Sequence, residues 1–193
     1  MDADGDGWGD IPGIISRLDH IKELGATAIW FSPLYASPDK DYGYDVSDYR
    51  AIDPKFGSMA DFDRLLEECH RRGLRVIMDM VVNHTSTEHP WFKAALSSPD
   101  SPYRDYYIIR KGRKKGDKLL PPTNWTSSFT GSAWARIAGS DEFYLHLFCV
   151  EQADLNWENP EVREEIMKIS QEIYEKLKED TELEEYLDIY KNF

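Results

Sequence analysis

Apolar residues form two short runs in the first half of the chain, and residues with helical spacing precede each run. The runs 26–33 (ATAIWFSP) and 74–85 (LRVIMDMVVNHT) predict strands that are buried on both faces of a parallel sheet. Helical spacing over 11–24 and 58–73 predicts a helix before each strand. The order of helix, strand, long loop, helix and strand predicts an α/β fold with right-handed crossovers.

The pattern changes between Ser86 and Asn156, where neither period persists. Prolines and glycines are scattered through this stretch, which therefore supports only short strands, such as 106–110 and 143–148. A stretch of about seventy residues is too long for an ordinary connection between a strand and a helix. We therefore expect a small inserted subdomain, with the basic residues of 110–118 at the tip of a solvated hairpin.

Helical spacing resumes after the insertion and continues to the last residue. Asn156 or Asn159 can cap this helix, and Pro160 occupies its first turn. Residues 170–193 keep the helical spacing and are strongly acidic. The chain is therefore expected to divide into three ranges: part of the main α/β unit (1–85), the inserted subdomain (86–156), and a helix with an acidic helical tail (157–193).

Composition narrows the classes of partner. The formal net charge of −13 argues against nucleic acids and anionic membranes, because both favour a basic surface. Cys69 and Cys149 show neither CxxC spacing nor a nearby histidine cluster, so we expect two buried thiols and no zinc site. No leader, lipidation motif or apolar run of membrane-spanning length is visible. These observations predict a soluble, cytoplasmic protein.

Acidic residues alternate with glycines at the start of the chain (MDADGDGWGD). Calcium prefers oxygen ligands, and glycines allow a backbone to wrap around the ion. The spacing is not that of an EF-hand, because Gly13 stands where the bidentate glutamate is required. One interpretation is a solvated acidic terminus. The regular spacing favours a calcium site formed by the side chains of Asp2, Asp4, Asp6 and Asp10 with the backbone carbonyl of Trp8.

Three polar residues stand at unusual places in the second apolar run. Asp79 interrupts the run, and a buried carboxylate needs a partner because its desolvation is costly. Asn83 and His84 come where the strand is expected to end, and the carboxyl ends of parallel strands are where α/β folds bind ligands. The pattern indicates a binding site, although a satisfied Asp79 and a surface His84 would also fit it.

Five segments, in this order, identify a family. The sequence resembles glycoside hydrolase family 13, the α-amylase superfamily, and within it the oligo-1,6-glucosidase and α-glucosidase group. The segments that carry the resemblance are DADGDGWGDIPGI, AIWFSPLYASPDKDYGYDVSDY, DMVVNHT, NWTSSFTGSAW and YLHLFCVEQADLNWENPEVR. In the last segment, Ala153 stands where proline is usual.

The resemblance implies a (β/α)8 barrel with a subdomain inserted after its third strand. Against that fold the chain is expected to form a partial TIM barrel of about two barrel strands, without the first strand and without the fourth strand onward. The implied activity is hydrolysis of α-glucosidic bonds with retention of configuration. A carboxylate nucleophile and a second carboxyl acting as acid and base perform this reaction. The implied substrates are α-linked glucose oligosaccharides of carbohydrate metabolism.

The resemblance also assigns residues to a pocket for the non-reducing-end glucose. Asp41 is expected to accept hydrogen bonds from sugar hydroxyls, Tyr44 to stack on the sugar ring, and His84 to donate to a hydroxyl. Phe129 and Phe148 resemble aromatic residues that line the same pocket. The resemblance therefore implies a glucose site made of residues from distant parts of the chain.

Other residues of the family have no counterpart in this sequence. The strands that carry the nucleophile and the acid/base carboxyl are not recognisable, so we assign no catalytic residue. The resemblance implies that Asp79 pairs with an arginine on one of the missing strands. It also implies that Asp4 stands where the calcium loop usually has asparagine.

Three hypotheses follow for the function. The first is a portion of an α-glucosidase that recognises glucosides and is inactive alone. The second is a non-catalytic carbohydrate- or calcium-binding module derived from the same family. The third is an interaction protein whose acidic tail recruits a partner, either a complementing barrel portion or a second copy of the chain.

Overall fold

A computed structural model describes residues 1–178, which form an α/β structure of short elements. The five α-helices within these residues are α1 (Ile11–Ile15), α2 (Leu18–Glu23), α3 (Met59–Arg71), α4 (Pro90–Ser97) and α5 (Pro160–Leu177). The strands are β1 (Ala28–Phe31), β2 (Tyr35–Ala36), β3 (Asp48–Ile52), β4 (Arg75–Met78), β5 (His84–Ser86), β6 (Ile109–Lys111), β7 (Arg113–Lys115), β8 (Lys118–Leu120), β9 (Trp134–Arg136), β10 (Glu142–Leu145) and β11 (Gln152–Asp154). They form small sheets of two or three strands, and no closed barrel is present within residues 1–178.

The predicted parallel pair is present. Strands β1 and β4 run parallel, with Trp30 opposite Ile77, and helix α3 connects them in the predicted order. The expectation that both faces are buried is wrong, because Trp30 is 56% exposed and Ile77 is 50% exposed. Ile29 and Val76 pack against the buried residues of α3 on the other face. The described residues therefore cover one side of this pair only.

Helix α3 follows the sequence pattern closely. Ser58 caps it through a reciprocal capping box, in which the Ser58 hydroxyl accepts from the Asp61 N–H and the Asp61 carboxylate accepts from the Ser58 N–H. Gly73 ends the segment with a φ of 64°, a left-handed conformation that glycine adopts easily. Cys69 lies buried on the inward face, as predicted, but the same prediction is wrong for Cys149, which is only partly buried.

The helix predicted over 11–24 is instead two short helices. The Ser16 hydroxyl donates to the Gly13 carbonyl at 2.7 Å, so this carbonyl is taken by a side chain. The Arg17 N–H donates to the Ile14 carbonyl at 2.9 Å, one residue short of the α-helical partner. A local side-chain bond of this kind competes with the helix and breaks it here.

The second apolar run also ends earlier than predicted. Strand β4 stops at Met78 rather than near Thr85, and the chain forms a separate strand, β5. The buried Tyr49 hydroxyl lies in the segment between the two strands, 2.7 Å from the Val81 carbonyl oxygen and 3.0 Å from the His84 carbonyl oxygen, and these two acceptors share its single proton. Strand β5 then pairs antiparallel with β11, which brings the start and the end of the predicted insertion together.

Between β5 and β11 the structure contains more helix than the sequence suggested. The scattered prolines predict only short strands here, but Pro90 is the first residue of helix α4, a position at which proline favours a helix start. The strand predicted over 106–110 begins only at Ile109, after a 3₁₀ turn. The strand predicted over 143–148 corresponds to β10, and β7 and β8 form the predicted exposed basic hairpin.

One hydrophobic cluster joins the three predicted ranges. It contains Val46 from the first, Tyr107 from the second and Ile166 from the third. Helix α5 is capped by Asn159, as the sequence allowed, and ends at Leu177. The predicted helical continuation to Phe193 lies outside the described residues, and the boundaries of the three ranges stay a prediction.

Candidate functional site

A buried carboxylate anchors the loop that follows β1. Asp45 is fully buried and accepts hydrogen bonds from the Ser37 hydroxyl at 2.9 Å and from the backbone N–H groups of Lys40 and Asp41 at 3.0 Å. Hydrogen bonds to a charged acceptor are stronger than neutral ones. The position of Asp41 is therefore set by its neighbour Asp45, a residue that sequence reasoning did not single out.

A tight turn presents the Asp41 side chain. The Asp41 carbonyl accepts from the Tyr44 N–H at 2.9 Å, and the two residues between them have positive φ, 50° at Tyr42 and 92° at Gly43. A side chain at Gly43 would place its Cβ 2.9 Å from the Pro33 carbonyl oxygen. Only glycine therefore fits this position without moving the loop.

Gln152 connects Asp41 to strand β11. Its side chain is fully buried, its Nε2 donates to Asp41 Oδ2 at 2.9 Å, and its Oε1 accepts from the Cys149 N–H at 2.8 Å. A sequence separation of 111 residues hides this contact between Asp41 and Gln152 from sequence reasoning. The QADLN segment carries part of the family resemblance, but nothing in its sequence indicates that the glutamine contacts Asp41.

His84 is buried on β5, and both of its ring nitrogens contact protein atoms. Nε2 lies 3.1 Å from the Tyr44 carbonyl, and Nδ1 lies 3.2 Å from the Asn83 amide nitrogen. A carbonyl only accepts, so the proton resides on Nε2 and Nδ1 accepts from Asn83. Burial lowers the pKa of His84, which favours this neutral form. The Nε2–H that was expected to donate to a sugar thus donates to Tyr44 in this structure.

Tyr44 links the loop after β1 to the end of β4. Its hydroxyl donates to Asp79 Oδ2 at 3.0 Å. Burial and this carboxylate together raise the pKa of Tyr44. Asp79 lies directly after β4 and is half-buried. A carboxylate that is partly removed from water needs a hydrogen-bond partner, and within residues 1–178 the Tyr44 hydroxyl is such a partner for Asp79.

Aromatic rings extend the site toward solvent. The Phe148 ring lies 5.3 Å from the His84 ring and 5.9 Å from the Phe129 ring, measured between ring centres. Phe129 is 55% exposed. The five predicted binding residues therefore form one continuous series of contacts, running from Asp41 through Tyr44, His84 and Phe148 to Phe129.

Three of the four carboxylates that were predicted to bind calcium lie close together at the start of the chain. One oxygen each of Asp2, Asp4 and Asp10 lies within 4.8 Å of the others, a group that could hold a metal ion, and Asp6 is not part of it. Backbone N–H donors lower the pKa of Asp2 and of Asp10. Charged oxygen donors of this kind suit a hard cation. The side chain of Trp8, predicted for its carbonyl, lies under the Lys55 ammonium, 4.8 Å from the ring centre.

The polar residues of the site follow the carboxyl ends of the two parallel strands. The loop after β1 provides Asp41 and Tyr44, and the segment after β4 provides Asp79 and His84. This is the edge at which α/β proteins bind ligands. The fold and the site thus define an α/β protein with a candidate small-molecule site at that edge.

Comparison with known proteins identifies the family. The family described as alpha amylase, catalytic domain, matches residues 1–179, and the chain belongs to this family, as the N-terminal part of its catalytic domain. It is 56% identical over 168 residues to an oligo-1,6-glucosidase of Parageobacillus thermoglucosidasius, covering 87% of this chain and 29% of that protein. It is 56% identical over 167 residues to an alpha-glucosidase of Candida albicans, covering 86% of this chain and 29% of that protein.

Solved structures agree with this assignment. The trehalose-6-phosphate hydrolase of Bacillus licheniformis matches with a TM-score of 0.86 and 54% identity, over 91% of this chain and 31% of that one. The chain therefore spans less than a third of the length of these relatives. Within residues 1–178, no helix combines the length and the apolar character needed to cross a membrane.

Proposed function

We propose that this chain carries the glucose-recognition part of an α-glucosidase-type glycoside hydrolase. The observation that supports the proposal best is the continuous contact series from Asp41 to Phe129 at the carboxyl ends of β1 and β4. In this proposal the two parallel strands are barrel strands two and three, and residues 86–156 are the subdomain inserted after the third. The ligands are α-linked glucose oligosaccharides.

The chemistry of the series suits a sugar. Gln152 occupies Oδ2 of Asp41, which leaves Oδ1 to accept a sugar hydroxyl. Phe129 and Phe148 offer ring faces to the apolar C–H face of the sugar, and such rings bury large areas at little entropic cost. His84 turns its Nε2–H from the Tyr44 carbonyl to a hydroxyl when the sugar enters, because both are hydrogen-bond acceptors.

Recognition without hydrolysis is the activity we propose for the chain on its own. Retaining glycosidases need a carboxylate nucleophile and a second carboxyl that acts first as acid and then as base, and we assign neither role within residues 1–178. In the whole relatives, this chemistry would take place next to the glucose that the Asp41 loop holds. The relatives named above support an α-glucoside ligand without selecting one linkage.

The acidic cluster supports calcium as a structural ion and keeps the second hypothesis open. Asp10 belongs to the cluster and also caps α1, accepting from the Gly13 N–H at 2.6 Å. Calcium bound at Asp2, Asp4 and Asp10 would therefore stabilise the entry to the first helix. A non-catalytic calcium- or carbohydrate-binding module would use the same residues. The interaction hypothesis rests on residues 179–193, outside the described part of the chain.

Glucose binding tests the first part of the proposal. We would titrate the ¹⁵N-labelled 193-residue chain with glucose and follow the backbone amides of 39–45 and 83–86 by NMR. Asp41→Asn should weaken binding about tenfold or more, because a charged acceptor becomes neutral. Asp39→Asn is the matched control: it removes the same charge from the same loop, where Asp39 pairs with Lys55 at 3.0 Å. Equal losses in both variants would sink the Asp41 assignment.

Calcium binding tests the second part. Calcium at about one hundred times its Kd should raise the free energy of unfolding by about 2.7 kcal/mol relative to chelator-treated protein. Asp4→Ala should reduce this gain, because it removes the side-chain oxygen, whereas Asp6→Ala should leave it nearly unchanged, because Asp6 is outside the cluster. A gain that depends equally on both residues, or no gain at all, would argue against this site.

A further inference from the structure

Asp154 is a buried carboxylate that lies directly opposite His84 in the pairing of β11 with β5. The residue is only 4% exposed. Its Oδ1 accepts hydrogen bonds from the Leu147 N–H at 3.0 Å and from the Asn83 side-chain nitrogen at 3.3 Å. Burial raises the pKa of Asp154, and both donors oppose this rise. The buried carboxylate therefore depends on these donors, and one of them, Asn83, also contacts His84.

The carboxylate of Asp154 sets the orientation of the Asn83 amide. A carboxylate only accepts hydrogen bonds, so the nitrogen of the amide must face it, whereas a rotated amide would bring two oxygens together. Asn83 is itself exposed, and water can pair with either end of its amide. The ring of His84 can also pair with either end, by changing its tautomer. Within residues 1–178, Asp154 is therefore the group that selects one orientation of this amide.

The oriented amide in turn selects the tautomer of His84. The Asn83 nitrogen lies 3.2 Å from Nδ1, and an amide nitrogen only donates, so Nδ1 must accept and the proton resides on Nε2. In the free site the Tyr44 carbonyl, 3.1 Å from Nε2, selects the same tautomer. A sugar hydroxyl in place of this carbonyl makes no such selection, because a hydroxyl both donates and accepts. The Asn83 amide then remains as the contact that keeps the proton on Nε2.

We infer that Asp154 is a positioning residue that, through Asn83, holds His84 as a hydrogen-bond donor while glucose is bound. This inference rests on the proposed function, in which the Nε2–H of His84 turns to a sugar hydroxyl. A histidine whose tautomer is fixed in this way donates from Nε2 and does not accept there. The ligand must therefore offer an acceptor at this point of the site.

The test is a glucose titration of the ¹⁵N-labelled 193-residue chain at neutral pH, with the ring nitrogens of His84 followed by NMR. Asp154→Leu removes the carboxylate and keeps a similar volume. It should weaken glucose binding about fivefold, as loss of one hydrogen bond implies. In the glucose-bound state its His84 ring should show the ¹⁵N shifts of a mixture of tautomers, whereas the wild type should show the Nε2–H form alone.

Asp154→Asn is the matched control. The Leu147 N–H and the Asn83 amide both donate to the same oxygen, Oδ1, so the amide oxygen of the new side chain can take its place. This variant should bind glucose within about twofold of the wild type and keep the Nε2–H form, because the acceptor is retained and only the charge is lost.

A second variant separates this role from a purely structural one. Asp154 also holds Leu147, the neighbour of Phe148, whose ring lies 5.3 Å from the His84 ring. Asn83→Ala removes the exposed amide and leaves the Leu147 contact in place. It should weaken glucose binding about as much as Asp154→Leu does, and Asp154→Leu should then add less than about twofold in the Asn83→Ala background. Additive losses would overturn the inference, because Asp154 would then act through Leu147.

The remaining outcomes separate this inference from the proposed function. If the wild type binds glucose but Asp154→Leu keeps its affinity and its single tautomer, the inference is overturned and the proposed function stands. Equal losses in Asp154→Leu and Asp154→Asn also overturn it, because the charge would then matter instead of the acceptor. If Asp154→Leu does not fold, a single Nε2–H form in glucose-bound Asn83→Ala overturns it. A wild type that binds no glucose overturns both.

Discussion

The parallel pair β1–β4 and the antiparallel strands β5, β10 and β11 bury their side chains to very different degrees. Trp30 and Ile77 lie opposite each other on β1 and β4, and each is at least half exposed. By contrast, every residue of β5 and β11 is buried. The hydrophobic residues of β10 are also buried between β6 and β9 and the rings of α4.

The difference follows from the two kinds of sheet. Parallel strands normally sit inside larger sheets covered on both faces, and the described residues provide two such strands with one covered face. Short antiparallel strands can be completed by neighbours close in space, as β11 completes β5. The comparison indicates that the described residues of this chain cover β5 and β11 fully, whereas the parallel pair keeps one face on which further structure could pack.

The largest loss of stability should come from a substitution in the core around β5, β10 and β11. Phe92 is buried and its ring contacts the rings of Tyr107 and Tyr144, each at 5.0 Å between ring centres. Phe92→Ala should lower the free energy of unfolding by about 3–5 kcal/mol, because it leaves a cavity among aromatic rings. Urea denaturation measures this loss. Trp30→Ala, on the open face, should cost less than about 1 kcal/mol, and similar costs at both sites would contradict the comparison.

The stability of the folded chain should also depend on pH, through a histidine at the start of α4. Burial lowers the pKa of His89 from 6.5 to about 4, with Asp48 opposing and Arg50 reinforcing the shift. The unfolded chain therefore binds a proton at a higher pH than the folded chain, and stability is lost as the pH falls from above 6.5 toward 4. The expected loss between pH 7 and pH 5 is about 2 kcal/mol.

A variant that cannot titrate isolates this residue. His89 caps α4, since its Nδ1 accepts from the Trp91 N–H at 3.1 Å, and asparagine can act as the same acceptor. His89→Asn should lose about 2 kcal/mol less than the wild type between pH 7 and pH 5. Parallel stability–pH curves for the two proteins would show that His89 is not the titrating group.

The smallest change in stability should come from a substitution on the exposed face of the parallel pair β1–β4. Ile77→Thr should change the free energy of unfolding by no more than about 0.5 kcal/mol, because the side chain is half exposed and threonine suits a strand. It should also reduce concentration-dependent self-association in sedimentation experiments, because exposed apolar strand surface promotes association. Val76→Thr, on the packed face of the same strand, should cost more. The reverse order would show that the faces are misassigned.

Local patterns were sufficient for the elements that local chemistry determines. Helix α3 with its Ser58 cap, the parallel order of β1 and β4, and the exposed basic hairpin follow from spacing, capping residues and turn residues. The family was also identifiable, because its segments occur in a fixed order. These features depend on neighbours in the sequence.

The features that the sequence did not reveal depend on distant partners. After the end of β4 at Met78, the Val81 and His84 carbonyls face the Tyr49 hydroxyl, which is more than thirty residues away in the sequence. Asp41 is held by Gln152 across 111 residues. One face of β1 and β4 is exposed because the described residues include no element that covers it, and an apolar run alone cannot predict which elements pack on a strand. Helix α4 was the exception, since Pro90 was a readable local signal.

The most direct test of recognition without hydrolysis is an assay of the purified 193-residue chain with p-nitrophenyl α-glucoside and isomaltose, with and without calcium. We expect no turnover above the uncatalysed rate, because we assign neither a nucleophile nor an acid/base carboxyl within residues 1–178. Glucose binding should persist under the same conditions. Turnover that disappears in Asp41→Ala would contradict the account, because a nucleophile would then have to exist within this chain.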